Sequence, residues 1–149
     1  EFLPELAKFS AVISPDCSLY RDMPLCLQIA NTYMNRAVGH YLQSQGLYVI
    51  PNIRWGDERS FTTVELPEKF AFLGAPKNSI VSIGTYGCIK SRENKNYFRK
   101  GLSAMLDELS PEVLLVYGGM PESIFGEFKG RTRFVNYPDW TSTKRRRAV

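Results

Sequence analysis

The sequence predicts an α/β layered domain with a mainly parallel sheet of about five strands flanked by helices. Two patterns carry that expectation. Short apolar runs rich in β-branched residues alternate along the chain with stretches of helical period. The runs are also apolar throughout rather than at every second residue, as strands buried on both faces are. Right-handed crossovers follow from chain chirality. The sheet is either open or part of a barrel, five strands being too few to close the usual eight.

Phe9-Ser10-Ala11-Val12-Ile13-Ser14 is the first apolar run, stopped by Pro15-Asp16, and reads as a buried strand. Asp22 before Met23-Pro24 marks a helix start, with proline in the first turn, where its missing N–H costs nothing. From there Leu25, Ile29, Tyr33, Met34, Ala37, Val38, Tyr41 and Leu42 recur at helical spacing as the core face. Thr32, Asn35, Arg36, His40 and Gln43 take the opposite face, and Gly46 closes the helix as a left-handed cap. Residues 47–53 form the second strand. A poorly periodic stretch follows, with a short helix near residues 60–66 and breaks at Pro67 and Pro76. Residues 79–85 form the third strand. In the next helix Phe98, Leu102, Met105, Leu106 and Leu109 share one face, and Pro111 lies just beyond its end. Residues 112–117 make the fourth strand, Pro121 opens a short helix through Phe128, and residues 131–136 make a fifth, weaker strand.

Apolar content of 44% and aromatic content of 13% over 149 residues suffice for a buried core and exclude disorder and coiled coil. The 19 Lys+Arg against 15 Asp+Glu give +4, but Lys144, Arg145, Arg146 and Arg147 account for all of it. Residues 1–140 therefore read as one neutral α/β domain and residues 141–149 as a basic, disordered tail. No apolar run approaches the roughly 20 residues of a membrane helix, so a cytoplasmic protein with no membrane partner is expected. Cys17, Cys26 and Cys88 are odd in number and widely spaced, which fits reduced thiols rather than a disulfide framework or a zinc site.

In parallel α/β proteins ligands gather beyond the carboxyl ends of the strands. That rule selects residues 15–22, 52–58, 85–92 and 118–122. Arg54-Trp55-Gly56-Asp57-Glu58 is the most chemically loaded of these runs. Arg54 can fork onto a phosphate or carboxylate, Trp55 can stack a base or sugar, and Asp57 or Glu58 can act as base or metal ligand. Asp16 and Asp22 from the first loop would complete an acidic cluster suited to Mg²⁺. The alternative is an Arg–Asp salt bridge knitting two loops together. Asp16, Arg21, Arg54 and Asp57 are the candidate catalytic groups, with Tyr20, Trp55, Tyr86, Gly87 and Gly118 as candidate ligand contacts. Glycines at these strand ends either offer backbone N–H groups to a phosphate or simply turn the chain.

Lys90, Arg92, Lys95, Arg99 and Lys100 form a basic patch at the head of the third helix, with Tyr97 and Phe98 interleaved. With Arg145 and Arg146 of the tail they are candidate nucleic-acid contacts, or else a solvated helix start. His40, the single histidine, falls mid-helix away from the strand ends, which removes Ser–His and Cys–His nucleophile pairs. Cys88 is read as an inert thiol.

Several runs recur in an order that is recognisable. They are Ser14-Pro15-Asp16-Cys17-Ser18-Leu19-Tyr20-Arg21-Asp22-Met23-Pro24, Gln28-Ile29-Ala30-Asn31-Thr32-Tyr33, Val49-Ile50-Pro51-Asn52-Ile53-Arg54-Trp55-Gly56-Asp57-Glu58, Ile83-Gly84-Thr85-Tyr86-Gly87-Cys88 and Val116-Tyr117-Gly118. Over residues 3–137 the chain resembles a family of phage, prophage and plasmid proteins known as domain of unknown function 4417. The resemblance implies an upstream region, so that this chain is the C-terminal portion of a longer protein. It also implies a mobile-element setting, which favours DNA replication, recombination or interference with host defence.

Three functions are compatible with these residues. The leading one is a small enzyme or ligand-binding domain acting on a phosphate-bearing or nucleotide-like substrate at the strand ends. The second is a non-enzymatic DNA- or RNA-binding module using residues 90–100 and 144–147. The third is a factor that binds a host protein through Trp55, Tyr86 and Trp140.

Overall fold

The expected five-stranded sheet does not form. The computed structural model, which describes residues 2–147 with side chains through residue 144, holds two small parallel sheets. The chain divides into two units, Glu1–Pro76 and Lys77–Val149, each with its own sheet.

In the first unit a short α1 (Leu3–Leu6) precedes β1 (Val12–Ile13), α2 (Leu25–Ser44), β2 (Val49–Ile50), α3 (Glu58–Phe61) and a 3-10 turn at Phe70–Phe72. β1 and β2 pair in parallel, Val12 with Val49 and Ile13 with Ile50, joined by α2 as crossover. Prolines explain why the strands stop at two residues. Pro15 and Pro51 follow closely and have no N–H to extend a ladder. The apolar core gathers Leu19, Val49, Ile50, Ile53, Phe61, Phe70, Ala71 and Phe72.

α2 has the expected extent but is rotated about its axis: Thr32, Asn35 and Arg36 turn inward, His40 and Gln43 stay exposed, and Leu25, Ala37, Val38 and Leu42 are only half-buried. Its buried residues are Gln28, Thr32, Asn35 and Gly39. Tyr33, Met34, Tyr41 and Ile29, expected in the core, are 69%, 51%, 53% and 38% exposed. The polar side turns inward because its partners are polar. Ser14 Oγ donates to Asn35 Oδ1 (3.2 Å), and the Asn52 amide donates to Ser14 Oγ (2.8 Å). Asn35 Nδ2 donates to Pro15 O, and Asn31 Nδ2 to Ser18 O at 2.8 Å. A buried polar group is tolerated when it is paired in this way. The helix starts at Pro24 rather than being capped by Asp22. It ends as expected, at a left-handed Gly46 (φ 82°), with Leu47 N–H on Leu42 O and Gly46 N–H on Gln43 O in a Schellman turn.

In the second unit β3 (Ile80–Gly84), α4 (Arg92–Leu109), β4 (Val113–Tyr117), α5 (Glu122–Phe125), a 3-10 turn (Gly126–Phe128), β5 (Arg133–Tyr137) and α6 (Trp140–Arg147) follow in order. The three strands form one parallel sheet in sequence order, Ile80 beside Val113 and Val113 beside Arg133. Here the apolar pattern is obeyed. α4 buries Phe98, Gly101, Leu102, Met105, Leu106 and Leu109, the expected face. Val81, Ile83, Leu114, Val116, Ile124 and Phe128 complete the core, with Phe125 stacked edge-on to Phe134 at 5.6 Å. Ser91 caps α4 by accepting from Asn94 N (3.0 Å). Asp139 accepts from Ser142 N (2.9 Å) at the start of α6, which runs into the segment read as a basic tail. No helix among the described residues is long and apolar enough to cross a membrane.

The inverted helix makes a simple contrast. In dilute solution Tyr33→Gln is expected to change stability by no more than ~0.5 kcal/mol, as exposed substitutions do. Asn35→Ala leaves Ser14, Pro15 O and Arg36 short of a partner and is expected to cost about 1–3 kcal/mol. Urea unfolding of both variants measures the difference, and the reverse ranking would restore the apolar-in orientation.

Candidate functional site

In the first unit the loops after β1 and β2 do converge, as the strand-end rule requires. Asp16 and Arg54 are brought together as an ion pair, Arg54 Nε to Asp16 Oδ1 at 3.1 Å, with the arginine side chain 13% exposed and the aspartate 52%. Asp57 is engaged elsewhere. It caps α3, accepting from Arg59 N (3.0 Å), and its carboxylate also takes Arg59 Nη2 (2.7 Å) and Gln28 Nε2 (3.2 Å). Burial pushes the Asp57 carboxyl up, but the Arg59 side chain and amide and the Gln28 amide outweigh it and hold the pKa below its ordinary value. Gly56 is pinned here for want of space: a Cβ would lie 2.4 Å from Gln28 Oε1 and 3.0 Å from Tyr20 O. That Gln28 oxygen is buried with no hydrogen-bond partner. Tyr20 and Arg21 are exposed on the first loop, and Trp55 is half-buried.

A residue placed on the solvent side by sequence reasoning dominates this neighbourhood. Arg36 Nε donates to Leu73 O (2.9 Å), Nη2 to Ala71 O (3.1 Å) and Nη1 to Asn52 O (3.3 Å) and to Asn35 Oδ1. Burial lowers its pKa to about 10, which leaves it charged at neutral pH. Arg36 and Arg54 line one small cavity with Cys17, Leu19, Thr32, Asn35, Asn52 and Ala71. Its volume is about 10 Å³. That is room for one water and no substrate. The Cys17 thiol is pushed up by burial and by the Asp16 charge, so it is held protonated rather than activated. The signal for this network was the spacing of Gln28, Thr32, Asn35 and Gly39, a polar stripe as regular as the apolar one.

Among the described residues no group of three or more His, Cys, Asp or Glu is placed to hold a metal ion. The acidic cluster considered for Mg²⁺ thus does not assemble from Asp16, Asp22, Asp57 and Glu58. Cys17, Cys26 and Cys88 are all free of disulfides, and His40 is exposed on α2.

In the second unit the strand-end glycines serve the fold. Gly118 (φ 111°) donates its N–H to Tyr137 O at 2.8 Å, and a Cβ there would lie 2.5 Å from Thr85 Oγ1. Thr85 Oγ1 donates to Gly119 O (2.7 Å), and Asn136 Nδ2 to Gly118 O (2.8 Å). The Gly118 amide is therefore spent inside the protein. Gly87 and Tyr86 sit on an exposed turn.

The basic patch is arranged differently. Arg92, Lys95 and Arg99 line an open groove of about 760 Å³ with Glu93, Asn96 and Ser123. Arg99 Nε lies 3.4 Å from Glu127 Oε1, a contact open to solvent on both sides, and Lys100 Nζ sits 5.7 Å from the centre of the Tyr97 ring. Lys90 is exposed on the preceding turn. The side chains of Arg145 and Arg146 lie outside the described residues. Charge is divided unevenly: residues 1–76 hold 6 Lys+Arg against 8 Asp+Glu, and residues 77–149 hold 13 against 7. Without the four cations of residues 144–147 the second unit holds 9 against 7, so the neutral balance of residues 1–140 is the sum of a slightly acidic unit and a slightly basic one.

Together these features define an α/β protein of two parallel sheets, with a polar network that is internally paired except at Gln28 Oε1 in one unit and a basic groove in the other. The chain belongs to the family described as domain of unknown function DUF4417, whose model matches residues 1–138. It is 37% identical over 116 residues to the Gene 1 protein of Mycobacterium phage D29, covering 78% of this chain and 40% of that protein. It is 35% identical over 116 residues to the Gene 1 protein of Mycobacterium phage L5, covering 78% of this chain and 48% of that protein. The chain spans less than half the length of these two phage relatives. No solved structure matches it.

The geometry around Asp57 makes a pH-dependent expectation. Because the folded pKa is depressed, its charged form stabilises the fold above the unfolded carboxylate pKa, and that contribution fades as pH falls through the folded pKa. Asp57→Ala removes the cap as well and is expected to cost about 0.5–2 kcal/mol at neutral pH. Denaturant curves of Asp57→Asn and wild type from neutral pH to pH ~3 are expected to differ most at neutral pH and to converge in acid. A constant difference would remove the charge from the account.

Proposed function

We propose that the second unit binds the phosphate backbone of a nucleic acid in the groove beside α4 and the start of α5. The observation that supports it is the lining itself: Arg92, Lys95 and Arg99 face one open channel of about 760 Å³. Their spacing of three and four residues sets them along one helix face. At 1.5 Å per residue the row is about 10 Å long, the axial length of roughly three phosphates on one strand. Arg92 and Lys95 lie in the first turns of an 18-residue helix, where the macrodipole disfavours cations unless an anion accompanies them. The groove is also broad and solvated rather than closed, which suits a polymer better than a small substrate. Glu93 and Glu127 beside it would tune affinity downward and keep binding reversible.

The reading of Asp16, Arg21, Arg54 and Asp57 as a catalytic set has less support. Arg54 and Asp16 are paired with each other, Asp57 caps a helix, and the adjoining cavity holds no more than a water. Those contacts favour the alternative of loops knitted by ion pairs.

Fluorescence polarisation with labelled single- and double-stranded oligonucleotides tests the proposal. Wild-type affinity is expected to fall steeply with salt, and Arg92→Ala/Lys95→Ala/Arg99→Ala to flatten the log–log salt slope by about 2–3. Arg92 and Arg99 are exposed and Lys95 is half-buried, none of them in the buried face of α4, so circular dichroism should be unchanged. Absence of wild-type binding at low salt, or an unaltered slope in the triple variant, would defeat the proposal. A chain lacking residues 144–147 separates the contribution of the terminal cations.

A further inference from the structure

The outward face of α2 carries a seven-residue repeat. Leu27, Met34 and Tyr41 recur every seven residues, and Ala30, Ala37 and Ser44 stand three residues after each. This is the a/d spacing of a helix that packs along another helix. Leu27, Met34 and Tyr41 are 51%, 51% and 53% exposed, and Tyr33 beside them is 69% exposed. The opposite face is committed to the polar network through Gln28, Thr32, Asn35 and Gly39. Arg36 is the one Asp, Glu, Lys or Arg in the helix, and it is turned inward onto Asn52 O and Ala71 O.

We propose that this face pairs with the same face of a second copy of the chain, the two α2 helices antiparallel about a two-fold axis. Size complementarity selects that occupant. With Met34 set against Ala37 of the second copy, Leu27 falls against Ser44 and Ala30 against Tyr41. Every large residue then meets a small one, in each layer, and symmetry repeats the match on the other side. A parallel pairing would instead set Tyr41 against Tyr41 and Ala37 against Ala37, alternating crowded and empty layers. Charge agrees with a self-pairing, since a face without formal charges meets its own copy with neither repulsion nor an unpaired ion. The area is also adequate. A whole aromatic side chain offers ~150–250 Å², so Tyr33 and Tyr41 at their exposures supply about 100–150 Å² each. With Leu27, Met34 and the small positions, two helices about 30 Å long bury on the order of 1,000 Å², the lower bound for a specific interface. The expected dimer is therefore a reversible one.

Sedimentation equilibrium of the chain tests this. Wild type is expected to pass from monomer to dimer across the micromolar range, and Met34→Lys, at an exposed position, to stay monomeric with an unchanged circular dichroism spectrum. Ala30→Glu serves as the second variant if Met34→Lys does not fold. In a Cys26→Ser background, Leu27→Cys with Ser44→Cys should give a disulfide-linked dimer on oxidation, and neither single variant should. Three results would overturn the proposal: a monomer at all concentrations, a dimer indifferent to Met34→Lys and Ala30→Glu, or cross-linking by Leu27→Cys alone, which requires parallel helices.

Discussion

The first unit is organised around a buried guanidinium. Arg36 is desolvated enough to lower its pKa to about 10. Its guanidinium donates to three backbone carbonyls and one side-chain amide oxygen, all neutral. Burying a charge is costly unless its hydrogen bonds are complete, so the four acceptors must be delivered together. Delivering them means that the turn at Phe70–Phe72 closes over the side chain, that the chain after β2 passes Asn52 across it, and that Asn35 on the same helix offers its oxygen. The arginine thereby sets the rotation of α2. Once it points inward, Gln28, Thr32, Asn35 and Gly39 follow, and Tyr33, Met34 and Tyr41 are turned out.

That rotation explains two features that look unrelated. Two strands of two residues supply little apolar surface, and the unit compensates with hydrogen bonds that join the strand ends: Asn52 N–H to Ser14, Ser14 to Asn35, Asn31 to Ser18. The same arrangement uses up the polar atoms that resembled a catalytic cluster. It also leaves Leu27, Met34 and Tyr41 exposed along the far side of the helix, the face on which the proposed pairing rests.

The second unit is built by the opposite rule. Its sheet and α4 are joined by Phe98, Leu102, Met105, Leu106 and Leu109, an ordinary apolar face. With the core satisfied by aliphatic and aromatic contacts, the polar residues of α4 are left on its surface. Arg92, Lys95 and Arg99 then share one side of the helix, and the acids that balance the total charge lie mainly in other segments. A composition that is neutral over residues 1–140 conceals this division, because net charge is a sum and the groove depends on placement.

The sequence by itself determined the alternation of strands and helices, the extent of α2 and its glycine C-cap, the end of α4 before Pro111, the buried face of α4 and the position of the basic row. It also carried the family, since the motifs of the strand-end loops stand in order. These follow from local rules, namely periodicity, proline and glycine boundaries and capping, which act within a few residues. Only the tertiary structure decided that five strands would split into sheets of two and three, because pairing depends on which chain segments meet. Only it decided which face of α2 lies inside. Both faces of that helix are regular stripes, one polar and one apolar, and burial normally favours the apolar one. The choice was reversed by acceptors at Asn52, Ala71 and Leu73, which stand 16, 35 and 37 residues beyond Arg36 and meet it only in the folded chain.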